Sequence, residues 1–539
     1  MTHGTWGKMK GTRRMEEYTI RISRFNPEVD DGPTLKEYTV PHVDQGSVIA
    51  ALTYVYEEID STLLFSYGCR YKLCGKCAIK INGQPGLACE TTLEDRMTLE
   101  PLDNLPVIRD LAVDRSGLLE PLRKYDLVFS ADHEPEVALQ PPEFSQLMRC
   151  NECLSCLSNC PAYKEEIDYG GPFFGVKLAE LYYDIRDGKK QLSHLESFLD
   201  QCIQCRQCDV NCPWDVNFSE ISSKIKGEVF KHKGVSVRDW LMSRPHLVGH
   251  LVSSVSSFFN SLVKKKSVRK IIDVLLRIDE RAPFPEYHPG KALSREAIER
   301  TTKRKVAYFV GCFDRFNDPD TAKSSLFVLE ENGVEATAFD PGCCGAPFIG
   351  LGDLESARNR AVAVSGELEK LINQGYDIVA SCTTCGAVMK CEYPLLFNQL
   401  KEEGARTRIF NLGDYLWQMH EAGELNTRYQ EIKRRVGYQS PCHLRSQKIG
   451  TPFVDLLRLI PGLEVVATFD KCCGMAGTMG FKKERYELSQ RVGTPLIDEI
   501  RGEKLDLILS DCASCQMKIE NDAKVNSIHP IAMIRQAMQ

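Results

Sequence analysis

The chain has 539 residues, 68 Lys and Arg against 74 Asp and Glu, and a net charge of −6. That length predicts several domains, and the mild acidity excludes the strongly basic surface that nucleic acid would require. No apolar run is long enough to span a bilayer, and no hydrophobic signal segment follows the basic start MTHGTWGKMKGTRR. Residues 1–14 are expected to be a disordered extension, with Met15 an alternative start because recognisable pattern begins directly after it. The 23 cysteines decide the class, since they fall in tight groups rather than scattered pairs. In a long chain without a signal segment, such grouping predicts metal ligation in the reducing cytoplasm rather than a disulfide scaffold.

In chain order, TIRISRF and KEYTV predict a strand pair, and residues 46–59 a helix. Cys69, Cys74, Cys77 and Cys89 then stand as C-x4-C-x2-C-x11-C. This is the plant-type [2Fe–2S] spacing, three thiolates on one loop and a distant fourth to close the site. A zinc site would show two C-x2-C knuckles instead. Gly68 and Gly75 let the backbone approach the sulfides, and AIKINGQPGLAC predicts a hairpin turning at Asn82–Gly83.

Cys150, Cys153, Cys156 and Cys160 form C-x2-C-x2-C-x3-C-P, and Cys202, Cys205, Cys208 and Cys212 repeat it, each run ending in proline. In this two-cluster signature the fourth cysteine of each run ligates the other [4Fe–4S] cluster. The expected sets are therefore Cys150, Cys153, Cys156 and Cys212 for one cubane and Cys202, Cys205, Cys208 and Cys160 for the other. Together with IRISRFNPEVDDGP and LPVIRDLAVD, these motifs make residues 15–235 resemble the iron–sulfur subunit of succinate dehydrogenases and fumarate reductases. The resemblance implies a β-grasp plant-type ferredoxin domain over 15–114 and a helical two-[4Fe–4S] ferredoxin domain over 115–235. That family typically has a three-iron cluster beside its quinone site, made from an altered second run. Both runs here are complete.

Residues 236–303 carry no clustered cysteines and are expected to be a helical linker. Leu247, Leu251, Val252, Val255, Phe258, Phe259 and Leu262 predict one amphipathic helix over 247–263, followed by Lys264, Lys265 and Lys266. The favoured reading packs that face on a neighbouring domain or partner subunit; a membrane surface is the other. PFPEYHPG at 283–290 predicts an extended connector.

The remainder is a duplication. Cys312, Cys343, Cys344, Cys382 and Cys385 correspond to Cys442, Cys472, Cys473, Cys512 and Cys515, within matching text such as ATAFDPGCCG and VATFDKCCGMAG. Each copy, over 304–430 and 431–539, predicts α/β structure. The strands KVAYFVG, EATAF and YDIVAS and a helix over 354–373 bring all five cysteines to one sheet edge. The units resemble the cysteine-rich (CCG) domains of the heterodisulfide reductase family, which implies a non-cubane [4Fe–4S] cluster in each, with a disulfide handled between the two. A zinc or purely structural unit is the alternative. His443 is expected to pack or hydrogen-bond, and Cys391 to be a buried free thiol.

The fold class is thus multidomain, α+β and α/β. The fusion as a whole is similar to the iron–sulfur subunits of thiol:fumarate reductases. That resemblance implies oxidation of coenzyme M and coenzyme B to their heterodisulfide at the CCG clusters, with FAD on a flavoprotein partner that reduces fumarate. No strand–GxGxxG–helix fingerprint occurs, since Gly474, Gly477 and Gly480 are spaced wrongly. The alternative is a relay in a respiratory complex, linked to a quinone or redox carrier and without disulfide chemistry.

Overall fold

The computed structural model describes residues 17–42, 46–125, 127–130, 139–163, 165, 169–187, 192–290 and 304–539. The expected extension over 1–14 and the end of the linker lie outside them. The front of the chain builds a five-stranded sheet in the order β2-β1-β5-β3-β4. Its strands are β1 (Glu17–Arg24), β2 (Thr34–Pro41), β3 (Ala78–Ile81), β4 (Gln84–Leu87) and β5 (Met97–Glu100). β1 pairs antiparallel with β2 and parallel with β5. The helix α1 (Val48–Tyr54) buries Val48, Ile49 and Leu52, and continues as a wider turn through Ile59. β3 and β4 form the predicted hairpin, with Asn82 and Gly83 at φ 50° and 78° between the paired Ile81 and Gln84. Two positive φ values are what a tight two-residue turn requires. A small pair, β6 (Val107–Arg109) and β7 (Ala112–Val113), closes the module.

The middle of the chain is helical. α2 (Gly171–Tyr183) and α3 (Phe218–Lys233) are its longest described helices, packed through Phe174, Phe198 and Phe218. That core also takes in Met479, Leu488 and Val492 from far along the chain, so the helical module is seated against the second repeat.

The linker departs from expectation. One helix over 247–263 is replaced by α5 (Pro245–Ser253) and α6 (Ser256–Val263), after α4 (Val237–Met242) and before α7 (Lys266–Leu276). The break falls at Val255 (φ −121°, ψ 23°), a β-branched residue between serine pairs that compete for backbone hydrogen bonds. Gly249, Ser253, Ser256 and Val263 are buried, with Phe316 over Gly249. Leu247, Leu251, Val255 and Phe258 of the predicted apolar stripe face outward, whereas Val252, Phe259 and Leu262 are half-buried, so the stripe packs on the neighbouring repeat only in part.

The repeats have the same parallel topology. The first sheet runs β9-β8-β10-β11, from β8 (Lys305–Phe309), β9 (Glu335–Phe339), β10 (Tyr376–Ala380) and β11 (Ile409–Asn411). The second runs β13-β12-β14-β15, from β12 (Arg434–Gln439), β13 (Leu463–Phe469), β14 (Leu507–Leu509) and β15 (Ser527–Ile528). Each strand thus has its counterpart at the same place. β8 is buried over four of its five residues, as a parallel strand covered on both faces must be. The helix predicted over 354–373 is observed as Leu354–Asn373. One shared core joins the units: Val306, Tyr308 and Leu416 of the first with Tyr438, Phe453 and Ile534 of the second.

Candidate iron–sulfur sites

The loop carrying Cys69, Cys74 and Cys77 turns its amides toward sulfur. Tyr71 N and Cys74 N lie 3.3 Å from Cys69 Sγ, and Lys72 N lies 3.4 Å from Cys89 Sγ. Positive φ at Arg70, Lys72 and Gly75 produces that curl. These donors favour the thiolate and hold Cys69 down at about 7, whereas burial pushes Cys77 up to about 12. A Cβ on Gly68 would stand 3.1 Å from Cys74 Sγ, so this glycine does admit the sulfur. Gly75 serves differently: a Cβ there would meet Asn151 O at 2.5 Å and Cys153 N at 2.9 Å, in the next cysteine loop.

Four hydrogen bonds from three side chains tie those loops together, and motif reading missed all of them because their partners are distant in sequence. Arg115 donates to Glu152 O (3.1 Å) and Gly75 O (3.3 Å). Asn151 Nδ2 and Trp214 Nε1 both donate to Lys72 O, at 3.0 and 3.3 Å.

The two four-cysteine runs lie close together: Cys156 is in the field of Cys150, Cys153, Cys212 and Cys160, and Cys160 in that of Cys202. A cavity of about 30 Å³ is lined by Cys150, Cys153, Cys156, Cys208 and Cys212. Burial raises Cys156, Cys205 and Cys208 well above the ordinary thiol range, and adjacent thiolates raise them further. Such an array is electrostatically unfavourable as bare thiolates and is relieved by bound cations. No group of three or more His, Cys, Asp or Glu among the described residues is placed to hold a single metal ion. A cluster bridges thiolates bound to separate irons, so its ligands stand further apart than those of a mononuclear site.

All ten repeat cysteines line one cavity of about 1250 Å³, together with Cys160, Cys202, Cys205 and Cys208. It exceeds the usual ~300–1,000 Å³ of small-molecule pockets. In each repeat the first cysteine follows the first strand, the pair follows the second, and the last two follow the third. Gly345 (φ 90°) and Gly474 (φ 83°) turn the chain after each pair, their amides 3.3 and 3.4 Å from Cys343 Sγ and Cys472 Sγ. Cys473 Sγ and Cys515 Sγ lie 3.3 Å apart. Arg360 Nε and Tyr393 OH hold the carbonyls of Cys343 and Cys344, at 2.6 and 2.8 Å.

The halves are latched across the cavity. Thr384 Oγ1 and His443 Nδ1 are 2.9 Å apart, and Thr383 Oγ1 donates to Asp511 O at 3.3 Å. Burial pulls His443 down to about 4, which keeps its ring neutral. Gln207 Nε2 bridges Cys205 O and Cys442 O, at 3.3 and 3.1 Å, joining the second cysteine run to the second repeat. Lys226 also lines the cavity; its Nζ donates to Gly350 O at 2.5 Å, and burial pulls it down to about 8. Cys391 lies outside the cavity beside Glu392 and is half-buried rather than the buried thiol expected.

Comparison with known proteins agrees with this layout. Residues 19–120 match the 2Fe-2S iron-sulfur cluster binding domain, 146–216 the 4Fe-4S dicluster domain, and 306–390 and 436–520 the Cysteine-rich domain. A subunit of the anaerobic glycerol-3-phosphate dehydrogenase of Escherichia coli K12 is 30% identical over 395 residues, 72% of this chain and 98% of the relative. The chain belongs to this family of iron–sulfur oxidoreductase subunits. Another similar protein, a subunit of the CoM/CoB fumarate reductase of Methanothermobacter marburgensis, is 27% identical over 96% of this chain and 97% of its own length. A crystal structure of a hypothetical protein from Helicobacter pylori, 12% identical with a TM-score of 0.50, covers 98% of this chain and 96% of its own, and shows the shared fold alone. As an iron–sulfur subunit of this family, the chain transfers electrons within an oxidoreductase complex and carries two-iron and four-iron binding domains.

Proposed function

We propose that this chain oxidises two small thiols, of the coenzyme M and coenzyme B kind, to their mixed disulfide in the cysteine-lined cavity. The electrons leave toward a flavoprotein subunit that carries FAD and reduces fumarate. The observation that carries this reading is the single cavity faced by both five-cysteine sets. Two thiols becoming one disulfide give up two electrons and two protons, which suits two one-electron sites on one cavity. Bound iron–sulfur clusters supply one-electron transfer.

In this reading Cys69, Cys74, Cys77 and Cys89 hold a [2Fe–2S] cluster on a β-grasp module over 15–114. Cys150, Cys153, Cys156 and Cys212 hold one [4Fe–4S] cubane, and Cys202, Cys205, Cys208 and Cys160 the other, over 115–235. Each repeat, 304–430 and 431–539, holds a non-cubane cluster through its five cysteines. The Thr384–His443 and Thr383–Asp511 contacts fix the distance between the sets, and Lys226 offers a cation to an anionic thiol substrate. The cytoplasm suits a chain whose described cysteines are all free thiols.

Steady-state assay of the purified complex tests the reading. Thiol-dependent fumarate reduction, with disulfide formed in equal amount, is the expected result; fumarate reduction indifferent to both thiols sinks it. A second reading, a relay linked to a quinone, is favoured by the apolar side chains of α5, α6 and α7 that wall the cavity: Val252, Phe259, Ile272 and Leu276. Quinone-dependent and thiol-independent turnover would establish it.

A further inference from the structure

We propose that Lys518 is a buried charge set behind the second repeat's cysteines, where it favours the reduced state of the cluster they hold. It does so at the point where electrons pass from the repeats to the second cysteine run. The inference rests on the reading that Cys442, Cys472, Cys473, Cys512 and Cys515 hold an iron–sulfur cluster, and not on the identity of the thiol or quinone served.

A lysine is almost never fully buried unless it is paired, and Lys518 is fully buried. Its Nζ meets Asp522 at 2.8 Å. With the Gln490 amide turned to satisfy its neighbours, Gln490 accepts from Nζ at 2.7 Å and donates to Asp522 at 3.1 Å. The pair belongs to helix Ala513–Ala523, which begins directly after Cys512 and contains Cys515. Side chains on a helix lean toward its N-terminus, so Lys518 reaches back toward the cysteines. Asp522 stands one turn further on, roughly 6 Å along the axis. The cation is therefore the near end of the pair and the carboxylate the far end. A Cβ on Gly493 would lie 2.6 Å from Cys473 O and 3.5 Å from Lys518 Cε, so the lysine stem and the cysteine pair meet at one packing point. The hydrogen bond with Cys515 does most to hold the Cys473 thiol below its ordinary value, and the Lys518 charge adds to it.

The duplication supplies the comparison. Val388 and Glu392 hold the places of Lys518 and Asp522, three and seven residues after the last cysteine of the first repeat. Val388 is buried and uncharged, and Glu392 faces Arg206 at 3.6 Å. The first repeat takes its cation from another place, Arg360, which donates to Cys343 O. The two sets are thus backed by different charges, and Lys518 acts on the second. That second set is also tied to the relay: Gln207 bridges Cys205 O and Cys442 O, and Cys472 packs in the core of the helical module. One-electron reduction adds a negative charge to a cluster, and a nearby cation shielded from water favours it. An electron is thereby drawn to the set beside the second cysteine run.

Anaerobic redox titration of the complex, followed by electron paramagnetic resonance, tests the proposal. The signal lost in Cys473→Ser marks the second-repeat cluster. Lys518→Met should shift its midpoint to more negative potential, lowering the ratio of reduced to oxidised cluster at the native midpoint by about threefold or more. Asp522→Asn keeps the cation, removes its counter-charge and should shift the midpoint the other way. The remaining signals should keep their midpoints. Opposite shifts are the mark of a charge, because loosened packing would move both variants alike. If Lys518→Met loses iron, the positive shift of Asp522→Asn carries the test. Unchanged midpoints, or shifts of one sign, in variants that keep their iron overturn the tuning. A Cys473→Ser variant that keeps every iron and every signal overturns the cluster reading of this repeat instead, and the tuning with it.

Discussion

Single residues in this chain act mainly by what they let the backbone do. Gly474 is the sharpest case, since a Cβ there would sit 2.1 Å from Ser489 O and φ is 83°. Gly474→Ala forces helix and cysteine pair apart and is expected to cost about 3 kcal/mol through strain at that position. Iron content should fall by the share of one repeat while the plant-type site keeps its visible spectrum; retention of all iron would refute the argument. Arg24 shows the electrostatic counterpart. Its guanidinium meets Asp60 at 2.7 Å and Asp110 at 2.9 Å with little exposure of any of the three. Replacing it with Met removes a charged partner from both carboxylates, though Asp60 keeps Lys36 and Thr62 and Asp110 keeps the amides of Phe25 and Leu64, and should cost about 1–3 kcal/mol in urea unfolding. The pH dependence has a definite sign. Hydrogen bonds from Thr62, Lys36 and Arg24 hold Asp60 well below the usual carboxylate range. Its stabilising effect is therefore complete above the unfolded carboxylate value of about 4 and is lost as pH falls below it. Asp60→Asn should flatten the acid limb of the stability curve, and an unaltered limb would show that other groups set it. On the proposed thiol chemistry, Lys226→Met should raise KM for an anionic thiol with little change in kcat, since the proposal gives this cation a binding role and no part in the reaction.

At the scale of elements, the sequence was most readable where chemistry imposes spacing. The hairpin at Asn82–Gly83, the helix at 354–373 and the order of cysteines along each repeat all follow from local rules: turn residues, helical period and strand ends. The linker was not readable in the same way. Its apolar period spoke for one packed helix and outweighed the local break signal of the serine pairs around Val255, while the seat of Gly249 against Phe316 has no local signature at all. Contacts between loops, such as Arg115 to Gly75 O, were invisible for the same reason. The proposed exchange of fourth ligands between the two cysteine runs gives an element-scale prediction. Cys160→Ala should disturb the cluster assigned to Cys202, Cys205 and Cys208 rather than that of its sequence neighbours. Selective loss of the corresponding paramagnetic signal would be seen on reduction. Loss of the other signal would mean that each run closes its own site.

For the whole molecule, the duplication produced one body rather than two beads. The sheets of the repeats turn one face each toward a common core, and their other faces carry separate cores under the helices Leu354–Asn373 and Tyr486–Gly502. The joint is tight: a Cβ on Gly413 of the first repeat would lie 2.7 Å from the Phe453 ring of the second. Helix Pro319–Glu331 of the first repeat likewise packs on the C-terminal helix Pro530–Met538, where Arg535 reaches Ser324 Oγ at 3.4 Å. A shared core means that neither cysteine set can shift without the other, which keeps both facing one cavity. Phe453 is buried in that core, and Phe453→Ala should cost about 3–5 kcal/mol. The loss should spread to both repeats. Amide exchange in β8 and in β12 is expected to accelerate together and by similar factors, because opening the joint exposes both strands in one cooperative step. Acceleration confined to β12 would show instead that the repeats open independently, and the fixed geometry of the cavity would then need another source.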